Sequence, residues 1–471
     1  VPDVVIVGGG VAGLAAARAL HKRGIPFLLL EESGDFGGVV RTAAADGFLG
    51  EGGPDALLAQ KQEGLALCRE LGLGDRLVPT NPEKRAVYVL LRRRLHPLPE
   101  GMMLAVPTRI GPFLTSRLFS WPGKLRMGLD LVIPPRRGDG DESIASFLGR
   151  RFGRECVERL GEPLLAGIHS GDPARLSMRL TFPRFLDLER RHGSLIRGLW
   201  STPPPPAGGA PRAAFYSLTG GLTELIDALV ASLPRGSLHA GVSVVRVRRD
   251  RDGLLVDRDG DTPLVAKAVL LATPPARAAR LVAALDEELS RSLESIPAVS
   301  TATVLLGFRR EDVAHPLEGY GMLVPRSEGL RTTAVTFSST KFPGRAPAGH
   351  VLLRGFLGGA RDPDVLELDD DALVSTLRSE MREVLGLRGE PVFVRVFRWP
   401  GGTPQLEVGH LGRLARIESR SLSVPGLFLA GAGLRATGIP DVVADATRTA
   451  GALAAAVGPL IQGASRDRSL G

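Results

Sequence analysis

The sequence predicts an α/β protein, α+β overall. A Rossmann-type dinucleotide-binding domain is interrupted by a mixed-sheet domain and a helical insertion. Three observations predict this. At the start, a β-branched run leads directly into G-x-G-x-x-G and a helix. At the far end, a strand, a glycine turn and an Ala-rich helix close the chain. Between about Pro97 and Trp200 the composition turns helical, rich in Leu, Phe, Met and Arg. A length of 471 residues suits two to four domains. Hydrophobic residues at 44% and charged residues at 23% exclude wholesale disorder.

Val4-Val5-Ile6-Val7 reads as a buried parallel strand. Gly8, Gly10 and Gly13 supply the motif, with Val11 and Ala12 between its glycines, and Leu14 to Leu20 then reads as a helix. Phe27 to Leu30 is the second strand, and Glu31 ends it with Glu32 beside it. Glycines at this turn let a pyrophosphate approach the backbone. The helix N-terminus faces its charge, and an acid about 20 residues further on can bind a ribose hydroxyl. A glycine motif alone is weak; with strand, helix and acid in register it is strong.

A second glycine pair follows, Gly37-Gly38 with Arg41, and then Gly52-Gly53-Pro54. Residues 56–77 read as helix and Val87 to Leu91 as a strand, with Arg92-Arg93-Arg94 in the turn after it. Asp141 is expected to cap a helix from Glu142 to about Phe152. Pro203 to Pro206 with Gly208-Gly209 cannot be helix and reads as a linker. Gly220-Gly221 precede a helix from Leu222 to Leu229. Val242 to Val247 and Ala268 to Leu271 read as strands. Strand-rich sequence over 299–358 is followed by a helix at 369–386. Gly426 to Gly431 is a strand entering a turn; Gly438-Ile439-Pro440-Asp441 and a helix from about Val443 to Val457 follow. No internal repeat of fixed period is present.

The net charge is +8 and the pI about 10.0, and only six of the 59 basic residues are Lys. Arg suits carboxylate and phosphate recognition. The basic residues are scattered among acids, so an anionic substrate or membrane surface is expected and nucleic acid is not. Cys68 and Cys156 exclude a disulfide scaffold and a four-cysteine zinc site. No metal is expected. With no apolar run near 20 residues and no signal-peptide pattern, the expected location is cytoplasmic, with peripheral contact to the cytoplasmic membrane left open.

The paired glycine motifs at both ends resemble the flavin-containing amine oxidase superfamily. Gly161 to Gly171 with Asp172-Pro173 and Leu176-Ser177, Gly319 to Pro325, Phe342 to Pro347, Gly358-Gly359-Ala360, and Trp399-Pro400 with Pro404-Gln405 and Gly409-His410-Leu411 narrow this. In that order they resemble the protoporphyrinogen and coproporphyrinogen oxidase family over about Val4 to Val457. The resemblance implies a Rossmann-type FAD-binding domain at 1–84, 212–285 and 408–460. It implies a substrate domain at 85–95, 200–211 and 286–407, a helical and membrane-associating insertion at 96–199, and a tail at 461–471. FAD would be held by Gly8, Gly10, Val11, Ala12, Gly13, Glu31, Glu32, Gly37, Gly38, Arg41, Gly53, Pro54, Val244, Ala272, Gly431, Gly438 and Ile439.

The implied substrate is a porphyrinogen, oxidised by six electrons in three hydride transfers to flavin N5. Molecular oxygen or another acceptor would reoxidise the flavin. The cofactor does the hard chemistry, so no side-chain nucleophile is required, and none is visible. Arg85 would bind a propionate, Leu323 and Phe342 would sandwich the ring, and the Gly167 carbonyl would face it. His169 stands where the family has Tyr or Phe and is expected to be a satisfied neutral histidine. Other features point to bacterial members taking coproporphyrinogen (Ile439-Pro440-Asp441, Lys341) or to protoporphyrinogen members (Phe342 to Pro347), leaving the substrate open. Met102 to Leu104, Phe113-Leu114, Leu118 to Trp121 and Leu129, interleaved with Arg109, Arg117, Lys124 and Arg126, are the expected membrane surface. A haem-pathway enzyme partner and a homodimer complete the implied contacts. The competing readings are an amine oxidase or carotenoid desaturase on the same fold, and a non-catalytic escort protein.

Overall fold

The computed structural model describes residues 3–201, 213–251 and 253–468, with side chains through 457. The expected linker at Pro203–Pro206 and Gly208-Gly209 lies outside the described residues.

The strands Leu238–His239, Phe27–Leu30, Val4–Val7, Ala268–Leu271 and Leu427–Leu429 form, in that spatial order, an all-parallel five-stranded sheet. Its strands come from three distant parts of the chain. Val4–Val7 and Ala268–Leu271 are buried throughout, as an apolar strand covered on both faces must be. One face packs on the Val11–His21 helix and the Ile439–Arg468 helix through Leu14, Ala16, Ala446 and Ala450. Small residues there let the two helices approach closely. The other face packs on the helices Pro275–Val282 and Glu287–Glu294 through Leu281, Leu289 and Leu293.

A seven-stranded sheet orders Phe393–Pro404, Ala298–Arg309, His350–Gly358, Thr332–Phe337, Gly321–Leu323, Val87–Leu91 and Arg94–Pro97. All its pairs are antiparallel except Gly321–Leu323 with Val87–Leu91, so the sheet is mixed as expected. One face is covered by the Asp370–Leu385 helix, which presents Leu373, Leu377, Met381 and Leu385 at four-residue spacing. Asp369 caps that helix, accepting from Ala372 N at 2.8 Å, and Gly386 ends it in the left-handed region. The insertion packs on the sheet through a core of Phe147, Leu148, Phe152, Leu165, Leu323 and Ala334.

Several expected elements differ. Residues 56–77 are a two-residue strand (Leu57–Leu58), a shorter helix (Gln62–Glu70) and a 3-10 turn (Gly74–Arg76). Leu57 turns its side chain into the dinucleotide-domain core while its backbone pairs with Tyr216. Asp141 caps no helix: it accepts from the Ser177 hydroxyl, and Ser143 caps the helix Ile144–Phe152 instead. The strand expected at Val242–Val247 is Val244–Asp250. The closing helix starts at Ile439 and continues to Arg468, through much of the expected tail. Gly167 lies within the helix Glu162–His169, whose C-terminal cap is Ser170.

Part of the expected membrane surface is core. Phe113, Leu118 and Phe119 are buried, Met102–Met103 is a short strand, and Lys124 is buried with its ammonium on the Leu114 carbonyl. Arg126 binds the carbonyls of Gly149, Arg150 and Arg151.

Candidate active site

The first glycine turn lies at the carboxyl ends of the parallel strands, where open α/β sheets bind ligands. Gly8 has φ +107°, and a Cβ there would lie 2.8 Å from the Ala272 carbonyl oxygen. At Gly13 a Cβ would lie 1.8 Å from the Gly8 carbonyl oxygen, so only glycine lets the helix close on its own turn. At Gly10 nothing stands within 4 Å of a built Cβ. The backbone there is open to a ligand, with Val11 and Ala12 beginning the helix behind it. Glu31 Oε2 accepts from Gly9 N at 2.5 Å, and its other oxygen takes the Ser33 N–H and hydroxyl.

The second glycine pair docks on the first. Gly37 N donates to the Gly9 carbonyl at 2.9 Å, Gly10 and Gly37 form a bridge, and Gly38 sits against the Gly10 Cα. Arg41 reaches back to the Phe36 and Asp35 carbonyls. Gly431, with φ +124°, faces the Ala12 side chain and the Ala272 carbonyl, so the closing turn meets the opening one. Gly438 precedes the long closing helix, and Ile439 is its first residue.

Gly53 packs on the Val39 carbonyl, where a Cβ would lie at 1.8 Å, and Pro54 follows. The mixed sheet grips this segment. Trp399 Nε1 donates to the Gly52 carbonyl at 3.0 Å, and Arg354 donates to the Gly53 carbonyl. Phe397 stacks on Trp399, and a Cβ at Gly52 would strike it at 2.5 Å.

Two residues expected at the cofactor lie apart from this cluster. Glu32 is exposed and paired with Arg277 at 2.8 Å. Val244 is buried in the core, its carbonyl accepting from Arg277. Gly8, Gly10, Ala12, Gly13, Gly37, Gly38, Ala272 and Gly431 meet around one glycine-lined turn, with an open backbone at Gly10 and amides at a helix N-terminus. They fit the pyrophosphate and ribose of a bound dinucleotide.

Of the expected substrate residues, Gly167 and Leu323 meet: a Cβ on Gly167 would lie 3.1 Å from Leu323 Cδ2 and 3.3 Å from Ala334 Cβ. Phe342 is buried, with Lys341 and Arg345 over its ring. Arg85 precedes its strand rather than lying in it. It is exposed, and its Nε donates to the Pro82 carbonyl at 2.7 Å. Tyr320 N donates to the Ala86 carbonyl, and Leu323 pairs with Val89. At about 3.3 Å per residue, Arg85 and Leu323 are therefore about 13 Å apart along the sheet.

Burial, then the nearby Lys61 charge, pushes the His169 pKa down to about 4. The side chain is not satisfied by protein, however. Its ring meets the Phe182 ring edge-on, and its nitrogens have no partner among the described residues.

Sequence reasoning missed several residues here. Lys61 pairs with Asp441 of the closing motif. Asp55 is paired with Lys341 at 2.7 Å and with Arg354 at 3.5 Å. Glu51 accepts from Leu222 N at 2.8 Å and from the Thr42 hydroxyl at 2.8 Å. Burial raises the Glu51 pKa, opposed by these donors and by Arg345 and Arg354. A signal existed: Arg354 is a cation inside the apolar strand His350–Gly358, a position that requires a partner. Cys68 and Cys156 are buried, their pKa values pushed up to about 11 and about 12 by burial, which leaves them inert.

The profile of the flavin containing amine oxidoreductase family matches residues 11–454. The chain belongs to this family, and the cofactor its glycine cleft fits is FAD. Among its relatives, the coproporphyrinogen III oxidase of Propionibacterium freudenreichii subsp. freudenreichii is 36% identical, covering 99% of this chain and 94% of that protein. The coproporphyrinogen III oxidase of Bacillus subtilis (strain 168) is 34% identical over 93% and 95%. The chloroplastic protoporphyrinogen oxidase of Nicotiana tabacum is 30% identical over 91% and 81%. A crystal structure from Exiguobacterium sp. 255-15, named provisionally as a protoporphyrinogen oxidase, superposes with a TM-score of 0.86 at 30% identity, covering 96% of this chain and 98% of that one.

Proposed function

We propose that the chain is a FAD-dependent porphyrinogen oxidase of haem biosynthesis whose substrate is coproporphyrinogen III. The observation that carries this reading is end-to-end similarity at 34–36% to proteins with that name, on a chain whose glycine cleft fits the cofactor. Protoporphyrinogen IX is the second reading, favoured by the Nicotiana tabacum relative. Anaerobic mixing with each porphyrinogen tests the choice.

When bound, the flavin supplies a hydride acceptor at N5. The residues of this chain bind and orient. Gly8, Gly10, Gly13, Gly37, Gly38, Gly431 and Gly438 give the cofactor close backbone approach, and Glu31 takes a ribose hydroxyl. Trp399 and Arg354 fix the Gly52-Gly53 backbone, so the mixed sheet and the cofactor segment hold one geometry. Gly167 and Leu323 form an apolar wall for a flat ring. Arg85 has two guanidinium nitrogens without partners among the described residues, which suits a propionate. Oxygen or another acceptor ends each of the three rounds. The domain boundaries given above, with 96–199 as the insertion, belong to this proposal, as do a pathway partner and a homodimer.

The insertion also rests against a membrane in this reading. Trp121, Leu125 and Leu129 recur every four residues and are exposed, with Ile110, Leu114 and Val132 nearby in sequence also exposed. Among the described residues no helix is long and apolar enough to cross a bilayer. Such a face suits interfacial insertion. Cosedimentation with anionic vesicles should fall severalfold in Leu125→Glu. Equal binding by the variant and the parent would remove the membrane contact.

A further inference from the structure

We propose that the Asp55 carboxylate is a catalytic acceptor for a pyrrole N–H of the substrate macrocycle, an inference that rests on the porphyrinogen reading above. Lys341 Nζ donates to Asp55 Oδ2 at 2.7 Å, and Arg354 Nη1 lies 3.5 Å from the same oxygen. Both cations sit on one oxygen. No donor reaches Oδ1 among the described residues, and the side chain keeps 22% exposure deep in the protein. Asp55 directly follows Gly53-Pro54, the segment clamped by Arg354 and Trp399. It also shares with Phe342, Glu51, Arg345 and Arg354 a cavity of about 10 Å³, space on the order of one water.

The two acids on this cavity are driven apart. Burial works to raise the Asp55 pKa, but Lys341, Arg354 and Arg345 together hold it below the usual carboxylate range. Glu51 is raised by burial. Two carboxyl groups with opposed environments commonly divide acid and base roles. Here the ionised one has a free oxygen.

The step balances as follows for a round that ends at nitrogen. A hydride leaves a bridging carbon of the macrocycle with the C–H electron pair and reduces the flavin, leaving one positive charge on the ring system. A pyrrole N–H bond then breaks, its electron pair stays on nitrogen and cancels that charge, and the proton passes to Asp55 Oδ1 and on to water. Porphyrinogen loses two N–H hydrogens overall, so two of the three rounds end this way.

Asp55→Asn keeps the shape and removes the base. The expected result is flavin bleaching by porphyrinogen slowed at least about tenfold. The dissociation constant for coproporphyrin III, read from porphyrin fluorescence, should stay within about twofold. The acid limb of the bleaching rate against pH should disappear, and Asp55→Glu should restore part of the rate. Lys341→Met leaves Asp55 present with one cation fewer, so its acid limb should move to higher pH. This second variant keeps the idea testable if Asp55→Asn fails to fold. A flavin-replete Asp55→Asn that bleaches at the parental rate, or a Lys341→Met limb that does not move, would overturn the role of Asp55 while leaving the substrate reading intact. A parent protein bleached by neither porphyrinogen would overturn the substrate reading itself.

Discussion

Arg85 has one guanidinium nitrogen tied to its own turn and the others free among the described residues. A cation held this way, at the near end of the strand pair that carries Leu323, can take a carboxylate through two parallel bonds at small cost in side-chain order. Such a contact forms equally in ground and transition states. Arg85→Ala should therefore raise KM for a porphyrinogen about tenfold or more with kcat nearly unchanged, since it removes uniform binding. Unchanged KM in steady-state kinetics would remove Arg85 from the site. At this scale the sequence was legible where chemistry is local. Gly8 and Gly13 show in the sequence because one turn has no room for a side chain at either, while Gly10 leaves the backbone open. Asp55 and Lys61 do not, because their partners lie hundreds of residues away and only the fold joins them.

Single elements were read well when one signal dominated. The Asp370–Leu385 helix has an N-cap, a four-residue stripe and a C-terminal glycine, and its bounds were legible to within a residue. Residues 56–77 have mixed spacing, and there strand pairing with Phe215–Leu218 overrode helix preference. The helical insertion hides its determinant altogether. Arg151 is fully buried. It donates to Asp130 Oδ1 at 2.5 Å and to the carbonyls of Asp130, Gly193 and Ile133 at 2.8–2.9 Å. Asp130 in turn accepts from Ser194 and from Ile196 N. Arg151→Met would leave Asp130 buried without its cation, a loss of about 3–5 kcal/mol. A fall in the insertion's unfolding midpoint by thermal denaturation is the expected outcome. A midpoint within a degree of the parent would mean that water replaces the guanidinium.

The molecule as a whole joins two sheets through several contacts, among them the Gly52-Gly53 segment and Pro404 against Gly433 of the closing turn. The parallel sheet is assembled from strands at residues 4–30, 238–271 and 427–429, and the mixed sheet reaches back to hold Gly52 and Gly53. Both glycine motifs and their order were visible in the sequence, so the fold class was too. The distance between Arg85 and Leu323 depends on how two strands of the mixed sheet pair, and the buried charges around Asp55 on how the Phe48–Glu51 strand meets that sheet. No local pattern encodes that. The central claim is that the parallel sheet would hold the flavin and the mixed sheet a porphyrinogen, whose electrons the bound flavin would accept. Stopped-flow absorbance of the FAD-loaded protein, mixed anaerobically with coproporphyrinogen III and in parallel with protoporphyrinogen IX, tests this most directly. The account predicts rapid loss of the oxidised flavin band with coproporphyrinogen III. Bleaching by neither substrate would contradict it and leave only the flavin fold standing.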